Sequence, residues 1–262
     1  MKNVNQIPVE FLIVRKEFLT ALLKKMPVVR LGSRKDKPVL RVYFGDKRRY
    51  HEVTRSSKKW REAMMLYDKR IKIERSLRLT KHLLSNTSIC NKCFSLSTTN
   101  LDNDYDVDFY DNLIDSSCTF EKNTKYYYNG HNFRSRSEMQ FATILDEFGL
   151  EYKYDVKIRY GNHEHTVDFA IVFREFNRCI FIEYFGRCDD PEYNEDNTRK
   201  LLHSQNSNIY IGRDLFIMSG DRYYTPGSDV VRIQVAAIIA QLACVHIKET
   251  GPAMKGISAL VS

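Results

Sequence analysis

The residues best placed for chemistry are two acids set in apolar surroundings, Asp168 and Glu183, within the stretch 165–186, HTVDFAIVFREFNRCIFIEYFG. Two apolar, β-branched-rich runs, 166–173 and 178–185, flank the polar connection Arg174-Glu175-Phe176-Asn177, which is the pattern of a β-hairpin. Each run carries one acid. With a four-residue connection, 173 faces 178 and 168 faces 183, so the two carboxylates become cross-strand partners. Such partners have Cβ atoms about 4.5–5.5 Å apart, and like charges there repel. Both runs are apolar on both faces, as in central strands covered on both sides. Carboxylates in that setting either share a proton at a raised pKa or hold a cation. The alternative is a register shifted by one residue, with an acid at a strand end in water.

The neighbouring elements must position these acids. Residues 126–128 and Phe133 flank a turn at Asn129-Gly130, and RSRSEMQFATILDEFG follows. Ser135 or Ser137 can cap a helix whose buried stripe is Met139, Ala142, Ile144, Leu145 and Phe148, and Gly149 closes it as a C′ glycine. Glu138 falls in its first turn, where a carboxylate suits the helix dipole. A strand over 152–160 and a turn at Gly161-Asn162 lead into the hairpin. Beyond Gly186, Asp189-Asp190-Pro191 opens a helix over about 192–204 that carries Lys200. Short strands over 209–211 and 214–218 follow, and Gly227-Ser228 precedes a last helix over about 229–245.

The N-terminal third differs in character. Residues 1–85 hold 23 Lys and Arg against 8 Asp and Glu, whereas the whole chain of 262 residues has a net charge of +8. This asymmetry suits a module that approaches a polyanion; a solvated basic surface is the plainer alternative. The pattern gives a helix over 8–26, strands over 28–31, 39–44 and 50–53 with turns at Gly32-Ser33 and Gly45-Asp46, and a long helix over 57–84 capped by Thr54 or Ser56. Residues 86–124, rich in Ser, Thr, Asn and Asp, read as a polar and acidic linker. The domains expected are therefore 1–85, 86–124 and 125–262. No apolar run approaches the ~18–20 residues that span a bilayer, and the N-terminal apolar run is too short for a signal peptide, so a cytoplasmic protein is expected. Six scattered cysteines suit reduced thiols. Cys90 and Cys93 have the spacing of half a zinc site, to which Cys118 and His82 or His131 could be recruited.

In order, 125–220 reads helix with Glu138, strand, strand with Asp168, strand with Glu183, helix with Lys200, strand. This resembles the PD-(D/E)xK nuclease superfamily. A closer likeness, to bacterial and phage-associated members, rests on Arg134-Ser135-Arg136-Ser137-Glu138, Val167-Asp168-Phe169, Glu183-Tyr184-Phe185-Gly186, Asp189-Asp190-Pro191-Glu192-Tyr193 and Lys200. The resemblance implies an α/β fold with a restriction-endonuclease-like α-βββ-α-β core, beside a small basic α+β module. It implies Asp168 and Glu183 as primary ligands of Mg²⁺ or Mn²⁺, with Glu138 binding a second ion or orienting water. It also implies that Lys200 acts on the attacking water or the phosphate, and that Arg134, Arg136 and Tyr193 contact substrate. Three positions depart from the pattern, one of them Val167, which stands in place of the motif's proline. Phe185 stands where the superfamily carries its usual lysine, and Tyr184 replaces a histidine.

The expected function is a divalent-metal-dependent nuclease with nucleic acid, expected to be DNA, as its partner. No membrane partner is expected, and a homodimer is compatible. A non-catalytic nucleic-acid-binding protein that keeps the fold is the second reading, and a metal-free structural or partner-binding protein is the third.

Overall fold

The computed structural model describes residues 7–44, 49–86, 92–96, 105–114, 125–160 and 163–252. Cys90, Cys118, the Cys93 side chain and the turns expected at Gly45-Asp46 and Gly161-Asn162 lie outside the described residues. The fold is mixed α/β. Contacts divide it into two compact units, one from Leu96–Lys248 with Met1–Pro8 and the other from Val9–Ser95 with Glu249–Ser262.

In the smaller unit, helix α1 (Val9–Lys25) precedes an antiparallel meander of β1 (Val28–Arg34), β2 (Lys37–Phe44) and β3 (Arg49–Thr54), and then helix α2 (Trp60–Ser85). Val29, Leu40, Val42 and Val53 from the sheet close on Ala63, Trp60, Met64 and Tyr67 of α2. Arg70 of α2 donates to the carbonyls of Leu23, Met26 and Pro27, satisfying oxygens that a helix end leaves open. The α2 N-cap differs from the expected one. It is Lys59, without a side-chain cap, and the Thr54 and Ser56 hydroxyls bond each other. Strand β4 (Lys92–Leu96) pairs with β11 (Ile247–Pro252).

The larger unit contains helix α3 (Val107–Asn112), the hairpin β5 (Tyr126–Tyr128) and β6 (His131–Phe133), and helix α4 (Arg136–Glu147). Strands β7 (Glu151–Tyr160), β8 (His163–Phe173) and β9 (Arg178–Phe185) follow, then helix α5 (Pro191–Asn206), strand β10 (Leu215–Ser219) and helix α6 (Ser228–His246). Its four-stranded sheet has the order β10-β9-β8-β7; β7 to β9 run antiparallel, and β10 joins β9 in parallel. A parallel neighbour needs a crossover, and α5 provides it.

Local chemistry fixes the ends of these elements. Asn129 at φ 50° and Gly130 at φ 89° make the left-handed pair that a two-residue hairpin turn requires. The Ser135 hydroxyl accepts from Glu138 N–H at 3.2 Å and caps α4, and Gly149 closes it at φ 65°. Asp190 caps α5 by accepting from Glu192 and Tyr193 N–H, with Pro191 in the first turn. Residues 209–211 form no strand. Ile211 makes an isolated bridge to Leu215, while Tyr210 N–H donates to the Asp214 carboxylate and its carbonyl accepts from Asp214, so the chain folds into a turn.

Part of the acidic stretch read as linker is packed structure. Tyr105 and Tyr110 are buried with Val156, Ala170, Val172 and Phe181 of the sheet, and Phe109 packs beside them. Lys153 Nζ donates to the carbonyls of Tyr110 and Leu113 at 2.6 Å each, closing the α3 C-terminus. Arg174 bridges Asp111 and Glu151. Three aromatic residues thus dock a segment whose composition is otherwise polar, each buried ring being worth roughly 1.5–3 kcal/mol.

Two further features differ from the expected pattern. In α4, Phe141 and Glu138 are buried, whereas Met139 is only half-buried. Helix α6 is, among the described residues, the one long and apolar enough by length and composition to cross a membrane, its 18-residue window having a mean hydropathy of 1.6. Its Val231, Val235, Ile239 and Leu242 are buried within the unit.

Candidate functional site

The hairpin register is the one its loop length dictates. Phe173 faces Arg178, and the ladder runs from there to Phe169 facing Ile182, so Asp168 and Glu183 are the next positions outward. A 3-10 turn over Arg174–Phe176, closed by Asn177 at φ 50°, makes the connection. Both acids are buried, at 7% and 2% exposure. Two carboxylates so enclosed need compensation, and each finds its own.

Asp168 accepts from Tyr184 N–H at 2.7 Å through Oδ2 and from the Arg134 guanidinium at 2.6 Å through Oδ1. Burial, with the negative charge of Glu183 next in weight, pushes its pKa up to about 7, against the opposing pull of the Tyr184 N–H. Glu183 faces Lys200 of α5, whose Nζ lies 2.6 Å from Oε1, and His165 of β8, whose Nε2 lies 3.4 Å away. Neither contact has hydrogen-bond geometry, and the Lys200 ammonium is the ion-pair partner of this buried oxygen.

Glu138 reaches the same region from α4. Its Oε2 accepts from Arg134 N–H at 3.1 Å and from the Tyr154 hydroxyl. Arg134 N–H also donates to Tyr154 Oη at 3.0 Å, so the residue preceding the α4 cap is tied at its backbone as well as its guanidinium. Burial, followed by the Glu138 charge, raises the pKa of the Tyr154 hydroxyl, which stays a donor.

A fourth acid completes the group. Asp155 is buried, at 7% exposure, and its Oδ1 lies 3.2 Å from Arg134 Nη2. It sits within β7 at φ 53°, between Tyr154 facing Phe169 and Val156 facing Val167. Tyr154 packs on Phe133 and Phe169, whereas Val156 and Ile158 join the cluster of Ala170, Val172 and Phe181 on the other face. Residues of equal parity therefore lie on opposite faces, and the left-handed backbone of Asp155 makes the reversal. Aspartate is among the few residue types that adopt this conformation readily.

Five of the residues singled out in the sequence therefore come together: Arg134, Glu138, Asp168, Glu183 and Lys200. Arg136 lies exposed in the first turn of α4. Tyr193 stands at the margin of the site, edge-on to Phe185 and under the Arg187 guanidinium, with burial raising its pKa and the Asp168 charge adding to the rise. Phe185 is buried against it. The Tyr184 side chain packs over Gly186 and Gly220. Asp155, His165 and Tyr154 were not singled out by sequence reasoning. Asp155 was the one acid in the 152–160 strand and thus the legible signal, while His165 shares its strand with Asp168.

The donor set suits a hard divalent cation. Mg²⁺ takes oxygen ligands and is commonly held by one or two carboxylates with water completing the shell. Asp168 and Glu183 offer two, and Glu183 Oε1 has the Lys200 ammonium beside it at 2.6 Å. Among the described residues no group of three or more His, Cys, Asp or Glu side chains is gathered as a ready metal cluster. The cationic side chains are what hold these acids. Comparison of the chain with protein-family models, curated proteins and solved structures finds no match.

Proposed function

We propose that this chain is a divalent-metal-dependent nuclease of the PD-(D/E)xK superfamily with a restriction-endonuclease-like core, hydrolysing phosphodiester bonds, with DNA as the expected substrate. The observation that carries the reading is the placement of Lys200. Phe185 stands where the superfamily's lysine would be, yet Lys200 from the following helix brings Nζ to 2.6 Å from Glu183. A lysine on an exposed face has no reason to reach a carboxylate that is 2% exposed. The element order α4-β7-β8-β9-α5-β10 and the adjacency of Asp168 and Glu183 support the same reading.

Asp168 and Glu183 would hold Mg²⁺ or Mn²⁺. When bound, the ion would supply Lewis acidity at the phosphate and a water more acidic than bulk. Lys200 would stabilise negative charge as it builds on phosphorus and orient the incoming water from the Glu183 side. Tyr184 N–H fixes the Asp168 carboxylate through Oδ2. Glu138, held by Tyr154 and the Arg134 backbone, supports the acid-bearing edge of the site rather than standing free to ligate.

The basic unit would hold the sugar-phosphate backbone. Within it Arg30 lies over the Tyr43 ring at 5.4 Å and Arg41 over Tyr50 at 5.5 Å, a mixture of cation and aromatic face suited to phosphate and sugar contacts. The test is cleavage of plasmid, linear DNA and RNA with Mg²⁺ or Mn²⁺. Asp168→Ala and Glu183→Ala are expected to abolish cutting, and Lys200→Met to slow it about 100-fold or more. Equal cutting by wild type and the two acid variants would sink the proposal. Nucleic-acid binding that survives in EDTA, with no cutting under any metal, would favour the non-catalytic binder that Phe185 suggests.

A further inference from the structure

Arg134 touches three of the four buried acids. Its backbone N–H donates to Glu138, while its guanidinium lies 2.6 Å from Asp168 Oδ1 and 3.2 Å from Asp155 Oδ1 through the same nitrogen, Nη2. The side chain is 43% exposed, so it enters the acid pair from the solvent side. The guanidinium therefore occupies the oxygen of Asp168 left open by the Tyr184 N–H. A cation entering at Asp168 meets a cation already there.

We propose that Arg134 is a built-in counter-ion that competes with the divalent ion for Asp168, and that Asp155 is the positioning residue that retains the arginine when the ion displaces it. This rests on the proposed metal site at Asp168 and Glu183 and adds how its occupancy is controlled. Before the ion binds, Nη2 bridges Asp155 and Asp168 and offsets their repulsion. When the ion takes Asp168 Oδ1, the guanidinium keeps Asp155 and its backbone anchor at Glu138, so one contact is exchanged and the arginine is not expelled. The displaced guanidinium then stands beside the site with donors turned outward, suited to a phosphate oxygen. Asp155 Oδ1 keeps ion-pair distance to the arginine, 3.2 Å from Nη2.

Arginine and the ion are mutually exclusive at one oxygen, so apparent ion affinity falls by the fraction of molecules in which that oxygen is open. A contact between charged groups of this kind corresponds to roughly a tenfold or larger factor. The test is Mn²⁺ binding by the full chain without nucleic acid, read from free Mn²⁺ by electron paramagnetic resonance. Arg134→Met is expected to tighten Mn²⁺ at least tenfold, and Arg134→Lys, which keeps the charge and loses the fork, by a smaller factor. Asp155→Asn is expected to weaken Mn²⁺ about fivefold in the wild-type background and less than twofold in the Arg134→Met background, because Asp155 acts through the arginine.

Unchanged or weaker binding by both Arg134 variants would overturn the proposal. So would equal weakening by Asp155→Asn in both backgrounds, which would make Asp155 a ligand or a through-space charge. The underlying metal site fails separately, and the proposal with it, if Asp168→Ala binds Mn²⁺ as wild type does or if no variant binds at all. Thermal unfolding of each variant confirms that binding is compared between folded proteins.

Discussion

Removing the charge of Asp168 should stabilise the metal-free protein while destroying its proposed activity. The ordinary carboxyl value is 3.8, and in the folded chain it is pushed up to about 7, first by burial and then by Glu183. Below about pH 3.8 the side chain is protonated in both folded and unfolded states, and its full contribution to stability is present. As pH rises from there towards 7 the unfolded chain ionises while the folded chain keeps its proton, so stability is lost through that window. Above 7 the loss is complete. The displacement corresponds to about 4 kcal/mol at most, and coupling to Arg134 and Glu183 brings the expected effect to roughly 2–4 kcal/mol. Asp168→Asn cannot ionise; its single amide oxygen can accept from Tyr184 N–H, and its NH2 then faces the Arg134 guanidinium, which is 43% exposed and can turn to water. In EDTA at pH 8 it should therefore be more stable than wild type by that amount, raising Tm by about 5–10 °C, with little gain at pH 4. The assay is urea and thermal unfolding of both proteins from pH 4 to 8. Added Mn²⁺ should narrow the gap at pH 8, because the ion stabilises only the protein that binds it. A variant no more stable than wild type at pH 8, or equally more stable at pH 4 and pH 8, would refute the reasoning.

Three structural predictions accompany this one. Asp214, fully buried, pairs with Arg178 and accepts from Tyr210 N–H, so Asp214→Ala should strand the arginine and lower stability by about 3–5 kcal/mol in urea unfolding. A Cβ on Gly220 would stand 2.7 Å from Tyr184 Oη and 2.9 Å from the Tyr224 carbonyl oxygen, so Gly220→Ala should cost about 1–3 kcal/mol and lower Tm. Ser135→Ala removes the α4 cap and should cost about 1 kcal/mol by the same measurement.

Much of the fold was legible because its signals are local. The turn at Asn129-Gly130, the caps at Ser135 and Asp190 and the closing Gly149 each act within a few residues, and the helices and strands they bound stand where the pattern puts them. The hairpin register followed from the length of one loop. Composition misled where a few large side chains outweigh many small polar ones, as around α3, where Tyr105 before the helix and Tyr110 within it are buried in a stretch of acids and asparagines. Residues 209–211 look apolar enough for a strand, but hydrogen bonding of Tyr210 to Asp214 bends them into a turn.

The candidate site divides in the same way. Periodicity and loop length in the sequence set Asp168 against Glu183 on paired strands, because side chains on a strand alternate and a tight connection leaves few registers. Which cation meets which acid was decided only by the tertiary structure. Lys200 meets Glu183 because α5 crosses back to place β10 beside β9, and Arg134 meets Asp168 because its backbone is tied to Glu138 and Tyr154. Asp155 was legible as the one acid in the strand read over 152–160, but the face it takes was not. The letters Tyr-Lys-Tyr-Asp-Val-Lys-Ile alternate without a break, and a reversal of faces at one left-handed residue leaves no mark in the sequence when both faces of the sheet are apolar.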